Sequence, residues 1–158
     1  VINKILTLAA QQGIGEAPAE QAEPEEEEAL AAIDRGDFAA AEVSYKALLA
    51  RKPNDQYGKV GLAQVQLLIR TDGVDAAAIM QRAIEQPDDV QIQMQCADIE
   101  VMQGDLEQGF KRLLRLISVL SGDEQKNVKD RLLELFALVD PADSRVIKAR
   151  AALANALF

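Results

Sequence analysis

The sequence lacks most of the residues on which enzymes and redox proteins depend. It has no histidine and no tryptophan, and its lone cysteine is Cys96. One cysteine cannot form an internal disulfide, and without a CxxC pair the chain has no dithiol chemistry. No nucleophile, base and metal-ligand set is apparent, because the carboxylates stand mostly at predicted helix starts and turns. The sequence therefore predicts a protein that is not an enzyme and holds no cofactor or metal.

Long apolar runs and a clustered basic face are also missing. No stretch reaches the roughly 20 apolar residues that a membrane helix needs. The net charge is −9, and residues 1–37 hold nine acidic against two basic residues. A nucleic-acid-binding protein would concentrate its basic residues on one face. We therefore expect neither membrane nor nucleic acid as a partner, and the single cysteine favours a reduced, cytoplasmic setting.

What is present is the pattern of an all-α protein. Residues 1–12 place Ile2, Ile5, Leu6 and Ala9 on one face of a short helix. Residues 13–24 are small, acidic and rich in Gly and Pro, which is typical of a flexible linker. Residues 25–158 form the predicted helical domain. Its Gly and Pro punctuation predicts helices near 25–35, 37–51, 55–70, 74–86, 89–103, 105–121, 123–139 and 143–157.

A sequence unit recurs within this domain. "RGDFAAAEVSYKALLARKPND" (residues 35–55) aligns with "QGDLEQGFKRLLRLISVLSGD" (residues 103–123), 68 positions further on. In this alignment Ala41 matches Gly109 and Tyr45 matches Leu113. The offset is two units of 34, with a weaker copy around Gly73 between them. An irregular bundle with chance glycine spacing is the alternative.

Thirty-four residues is the period of the tetratricopeptide repeat, which the first unit resembles. A glycine turns the chain between helices A and B, a small residue allows close approach, an aromatic fills the interface and a proline ends helix B. Gly36, Ala41, Tyr45 and Pro53 stand at these points. The resemblance implies an α-solenoid of about four antiparallel helix pairs. The last pair departs from the pattern.

That last pair and the first helix resemble a more specific family. The series Leu135-Phe136, Asp140-Pro141, Arg145, Arg150, Leu153 and Leu157-Phe158 is similar to the C-terminal end of bacterial thioredoxin-domain co-chaperones, the YbbN-type chaperedoxins. In that family a thioredoxin-like domain, an acidic linker and a tetratricopeptide-like domain follow one another. Residues 1–12 would then be the last helix of an upstream thioredoxin-like domain. The first residue, Val1 rather than Met, likewise indicates a piece of a longer protein.

The resemblance implies a co-chaperone role, with unfolding client proteins and the chaperonin as partners. Clients would bind the concave face that the A helices line. Alternatively, the Met and Leu positions among these simply pack on neighbouring helices. Eukaryotic tetratricopeptide co-chaperones grip a carboxylate with basic residues in this groove, but the matching positions here carry none, so that mode is not expected. The predicted groove residues are Tyr57, Val60, Gln64, Leu68, Gln91, Met94, Gln95, Asp98 and Met102, and the uncharged or acidic clamp positions are Glu26, Leu30, Gly61, Gln91 and Gln95.

Further candidates lie outside this groove. Two basic patches either face solvent or contact an acidic partner, which includes the chain's own acidic linker. Leu157 and Phe158 either close the solenoid or dock on a partner, and Cys96 is expected to be buried and inert. The basic patches consist of Lys111, Arg112 and Arg115, and of Arg145, Lys148 and Arg150.

Two other functions remain open from the sequence. One is a general tetratricopeptide scaffold for a multiprotein complex, which predicts one tight native partner. The other is an accessory domain of a thioredoxin-type oxidoreductase, which merely positions an upstream redox site. An upstream CxxC would favour the oxidoreductase.

Overall fold

The computed structural model describes residues 21–158, which form eight α-helices and no strand. Every end lies within three residues of its predicted place, so the all-α prediction is confirmed. The predicted helix of residues 1–12 and most of the predicted linker lie outside the described residues. The helices are α1 (Pro24–Asp34), α2 (Phe38–Arg51), α3 (Gln56–Thr71), α4 (Ala76–Glu85), α5 (Val90–Met102), α6 (Leu106–Val119), α7 (Gly122–Phe136) and α8 (Ser144–Leu157).

Aspartates begin most of these helices. At six helix starts an Asp carboxylate accepts a hydrogen bond from a backbone N–H of the first turn, which satisfies a donor that has no partner within the helix. Helices α1 and α7 are different, because their N-caps, Glu23 and Ser121, make no side-chain capping bond. In α7 the expected start at Asp123 falls inside the first turn. The capping residues are Asp37, Asp55, Asp75, Asp89, Asp105 and Asp143.

The turns after α1 and α5 are the same structure, 68 residues apart. Gly36 has φ 75° and Gly104 has φ 90°, in the left-handed region that favours glycine. Beyond the first turn, Asp37 N–H donates to the carbonyl of Ala32 at 2.9 Å. Beyond the second, Asp105 N–H donates to the carbonyl of Glu100 at 2.9 Å. The repeat alignment therefore corresponds to a repeated backbone turn.

The small residues of the repeat lie where helices approach closely. Ala41 is fully buried. At Gly109, an added Cβ would lie 2.8 Å from Val101 Cγ2 and 3.1 Å from the backbone oxygen of Ala97. The interface position that follows in each unit is buried as well, with Tyr45 4% and Leu113 0% exposed. Packing thus accounts for a small residue at the first of these positions and a large apolar one at the second.

The helices stack in the manner of a solenoid. Helix α2 packs against α1 and α3, and α6 packs against α5, α7 and α8. The first helices of successive pairs are in contact, α3 with α5 and α5 with α7, as are the second helices α6 and α8. The largest apolar cluster joins α5 through α8 with Leu67 of α3, and two smaller clusters hold α1–α3 and α4–α5. Contacts within pairs, as between α1 and α2 or α5 and α6, are thus continued by contacts between successive pairs.

Gly61 tests the packing of α2 on α3. A Cβ added there would overlap the ring of Tyr45. We expect Gly61→Ala to lower the free energy of unfolding by about 1–3 kcal/mol, although alanine favours helix, because overpacking outweighs propensity. Urea denaturation followed by circular dichroism measures this change.

The control is a double-mutant cycle. In a Tyr45→Leu background the ring is gone, so Gly61→Ala should be neutral or stabilising. An equal loss in both backgrounds would show that Tyr45 does not set this contact.

Candidate functional site

A buried carboxylate joins the three first helices α3, α5 and α7. Asp98 of α5 is 1% exposed. Arg70 of α3 donates to both of its oxygens, at 2.9 Å from Nε and 3.1 Å from Nη2. Arg131 of α7 donates to Oδ2 at 2.5 Å. Two guanidinium groups thus neutralise one buried negative charge.

A second carboxylate balances this cluster at its outer edge. Glu134 accepts from Arg70 Nη1 at 3.1 Å and lies 3.9 Å from Arg131 Nε. Burial is the main influence on Arg131 and lowers the pKa of its guanidinium, against the stabilising charge of Asp98. With two arginines and two carboxylates the cluster is formally neutral.

A smaller buried network lies between α5 and α6. Arg112 donates to Glu100 at 3.0 and 2.6 Å and to Gln93 Oε1 at 2.6 Å. Cys96 is 1% exposed and its Sγ lies 3.8 Å from Glu100 Oε1. Burial, with the Glu100 charge, raises the pKa of this thiol and keeps it protonated. The prediction of a buried cysteine is confirmed.

An apolar groove runs between α3 and α7, beside the Asp98 cluster. Its volume is about 450 Å³. Leu133 of α7 is 40% exposed and contributes apolar surface to its lining. Glu134 is shared between the groove and the cluster. We name it the α3–α7 groove; its lining is Leu49, Lys59, Leu62, Ala63, Gln66, Asp130, Leu133, Glu134 and Ala137.

The predicted groove residues differ in how far they are exposed to solvent. Tyr57, Gln91 and Gln95 are exposed. Val60, Gln64, Leu68 and Met102 are half-buried.

Two of the predicted groove residues are buried and cannot contact a partner. Met94 is 5% exposed and belongs to the main core, and Asp98 is the centre of the arginine cluster. A partner could reach neither without unfolding part of the chain.

On α3 the groove occupies a different side from the predicted one. At 100° per residue, Lys59, Leu62 and Gln66 lie roughly opposite the predicted positions Tyr57, Val60, Gln64 and Leu68. Gly58 and Gly61 of α3 face α2, where an added Cβ would meet Leu48 and Tyr45 respectively. This contact fixes the rotation of α3. The predicted binding positions on α3 stay a prediction, on the side of the helix away from this groove.

The structure groups the basic residues of the two predicted patches differently. Lys111 of α6 joins Arg145 and Lys148 of α8 around one cleft of about 370 Å³. Arg112 is not a surface contact, because it neutralises the buried Glu100.

The remaining basic side chains serve local structure. Arg115 donates to the carbonyl of Pro87 at 2.9 Å. Arg150 lies over the ring of Phe136, 4.9 Å from its centroid. We name the opening beside Lys111 the α6–α8 cleft.

The final two residues behave differently from each other. Leu157 is half-buried and packs on the main core, as expected of a residue that closes the solenoid. Phe158 is exposed. The pair is thus neither wholly a cap nor wholly a docking element.

Residues 21–158 contain no group of three His, Cys, Asp or Glu side chains that could hold a metal ion. None of the helices in this range is long and apolar enough to cross a membrane.

Removal of the Asp98 charge should be costly. We expect Asp98→Asn to lower the free energy of unfolding by about 3 kcal/mol, because it leaves two partly buried guanidinium groups without their shared partner. The matched control is Asp130→Asn, whose carboxylate pairs with the exposed Lys126 at 2.7 Å and should contribute less than about 1 kcal/mol. Urea denaturation at neutral pH compares them, and equal losses would contradict a structural role for the cluster.

Comparison with known proteins identifies the family. A family model described as "Tetratricopeptide repeat" matches residues 69–158. Uncharacterized proteins of Mycobacterium bovis and Mycobacterium tuberculosis are each 35% identical over 162 residues, which cover 99% of this chain and 52% of the relative. The chain thus spans about half the length of these relatives. No solved structure matches it.

The matched range runs from the end of α3 to the end of the chain. It includes the α7–α8 pair, which the sequence analysis had placed outside the tetratricopeptide pattern; this pair is therefore part of the family's domain. The first unit, residues 35–55, has the repeat pattern in its clearest form and lies before the matched range. Since the match covers more than half of the sequence, the chain belongs to the tetratricopeptide repeat family, whose members are generally non-catalytic scaffolds for protein–protein interaction.

Proposed function

We propose that this chain is the protein-binding domain of a thioredoxin-domain co-chaperone and that it holds unfolding client proteins in the α3–α7 groove. The observation that carries the proposal is an open apolar groove, about 450 Å³ in volume, on the first helices of a tetratricopeptide domain. Unfolding proteins expose apolar side chains, and burial of that surface is the driving force for holding them.

The lining of the groove supports low specificity. Leu49, Leu62 and Leu133 supply apolar surface from three helices, and the alanines beside them leave room for side chains of different size. Several polar lining residues already have protein partners, since Gln66 donates to Glu42, Glu134 accepts from Arg70 and Asp130 pairs with Lys126. A site with few fixed polar requirements accepts many sequences.

The rigid part of the site lies next to the groove. Glu134 faces both the groove and Arg70, and Arg70 is held in turn by Asp98. The groove wall is therefore anchored to the ion cluster that joins α3, α5 and α7. A preformed wall reduces the ordering cost when a client binds.

The parent architecture and the chaperonin belong to the same proposal. A thioredoxin-like domain, which the chaperedoxin resemblance implies, would account for part of the additional length of the relatives. The chaperonin would then receive clients from this domain. A general scaffold for one multiprotein complex is the main rival, and it predicts a single tight native partner.

The test is suppression of aggregation. The 158-residue chain should reduce light scattering from a heat-denatured model enzyme, and it should retain the chaperonin in a pull-down. Leu133→Glu should weaken the suppression several-fold, because it places a charge in the apolar groove. Ile84→Glu is the matched control, since Ile84 is 75% exposed on α4 and lies outside the groove lining.

Circular dichroism must confirm that each variant remains folded. Equal suppression by the two variants would place client binding elsewhere. No suppression and no chaperonin capture by the folded chain would overturn the co-chaperone proposal.

A further inference from the structure

The α6–α8 cleft is built from two helices at regular spacing. From α6 it is lined by Glu107, Phe110, Lys111 and Leu114, which are spaced at i, i+3, i+4 and i+7. The lining of α8 covers residues 144–152 in the same way. Seven residues of helix rise about 10 Å, so the cleft is about two helical turns long.

The floor of this cleft is apolar and well supported. Phe110 is 2% exposed, and its ring meets that of Phe136 edge-on, with centroids 5.0 Å apart. Arg150 covers Phe136, as described above. Ala149 and Ala152 supply the α8 wall, and their small side chains leave the space that a larger residue would fill. The cleft can therefore receive an apolar side chain without rearranging its floor.

The rim of the cleft has a surplus of positive charge. Lys111 lies 3.0 Å from Glu107, and Lys148 lies 4.0 Å from the same carboxylate oxygen. Arg145 pairs with Asp143 outside the cleft at 2.7 Å. Three cations thus share two carboxylates, on a chain whose net charge is −9. The side chain of Lys148 is 79% exposed and is the least committed of the three.

The pKa of Glu107 reflects the positive charge around the cleft. The hydrogen bond from Lys111, with the charges of Lys111, Lys148 and Arg145, holds the pKa of its carboxyl below the ordinary value. The same field favours any further carboxylate that enters the cleft.

We propose that the α6–α8 cleft is a second docking site, and that its occupant is a short acidic amphipathic helix of a partner protein. An apolar side chain of that helix packs on Phe110 and Leu114, between the alanines of α8. Carboxylates flanking it pair with Lys148 and Lys111. The length of the cleft matches two turns of helix, and its charge selects an acidic sequence.

This site is independent of the α3–α7 groove. The cleft lies between the second helices α6 and α8, and the two linings have no residue in common. Failure of one site therefore leaves the other untouched.

The probe is a labelled, end-capped peptide of about 20 residues, longer than the roughly 12–15 residues below which an isolated helix is marginal, with leucines at i, i+3 and i+7 and glutamates beside them. Fluorescence anisotropy measures its Kd for the 158-residue chain. We expect Lys148→Gln to raise the Kd about fivefold and Ala152→Leu to raise it at least as much by filling the cleft. Lys126→Gln is the matched control, an exposed lysine on α7 that should leave the Kd unchanged.

The outcomes separate the alternatives. A peptide with glutamine for every glutamate should bind more weakly, and added salt should reduce the difference. Equal binding of the two peptides, or no binding to the folded chain, overturns the proposal. Loss of binding with Leu133→Glu but not with Ala152→Leu assigns the peptide to the α3–α7 groove and also overturns it. If the chain sediments as a dimer and Ala152→Leu makes it a monomer, the occupant is a second copy, and the acidic-partner proposal is wrong.

Discussion

The arrangement of α3, α5 and α7 depends on one constraint, the buried carboxylate of Asp98. An ion at 1% exposure is tolerated only with partners, and here the partners come from the helices on either side of α5. Apolar contacts alone permit helices to slide or rotate by small amounts. Paired guanidinium groups with fixed donor directions define one arrangement, so α3, α5 and α7 are held in register at one point. The helices that line the α3–α7 groove both pair with this aspartate, and Arg70 and Glu134 also join them directly.

The fold was predictable because its signals are local. A glycine at positive φ, an aspartate cap directly after it and a helical apolar period are all read within about five residues. The turns at Gly36 and Gly104 have the same backbone hydrogen bonds, so the 68-residue offset in the sequence corresponds to a repeat in the structure. The largest difference is at the end of α7, which the structure places at Phe136 and the sequence pattern predicts at 139.

The site was less predictable because burial is decided by residues distant in sequence. Asp98 looked like a groove residue from its register, but its partners stand 28 and 33 positions away at Arg70 and Arg131. Arg112 likewise looked like part of a surface patch, because its partner Glu100 lies on the preceding helix, 12 positions away. The rotation of α3 depends on the Tyr45–Gly61 contact, which a regular 34-residue register does not encode. Long-range pairing and helix rotation are the properties that a single-sequence pattern leaves open.

The two open surfaces of the described domain differ in the charge that accompanies their apolar floor. The α3–α7 groove has no surplus of negative charge at its edge, because Asp130 pairs with Lys126 and Glu134 pairs with Arg70. The α6–α8 cleft has a surplus of positive charge. An acidic helix is therefore attracted mainly to the cleft, where three cations share two carboxylates. A client held by apolar contact alone has no such preference and is limited instead by the size and openness of the surface. The charge at the rim, rather than the apolar area, is therefore the physical basis on which the cleft would distinguish an acidic segment from an uncharged one.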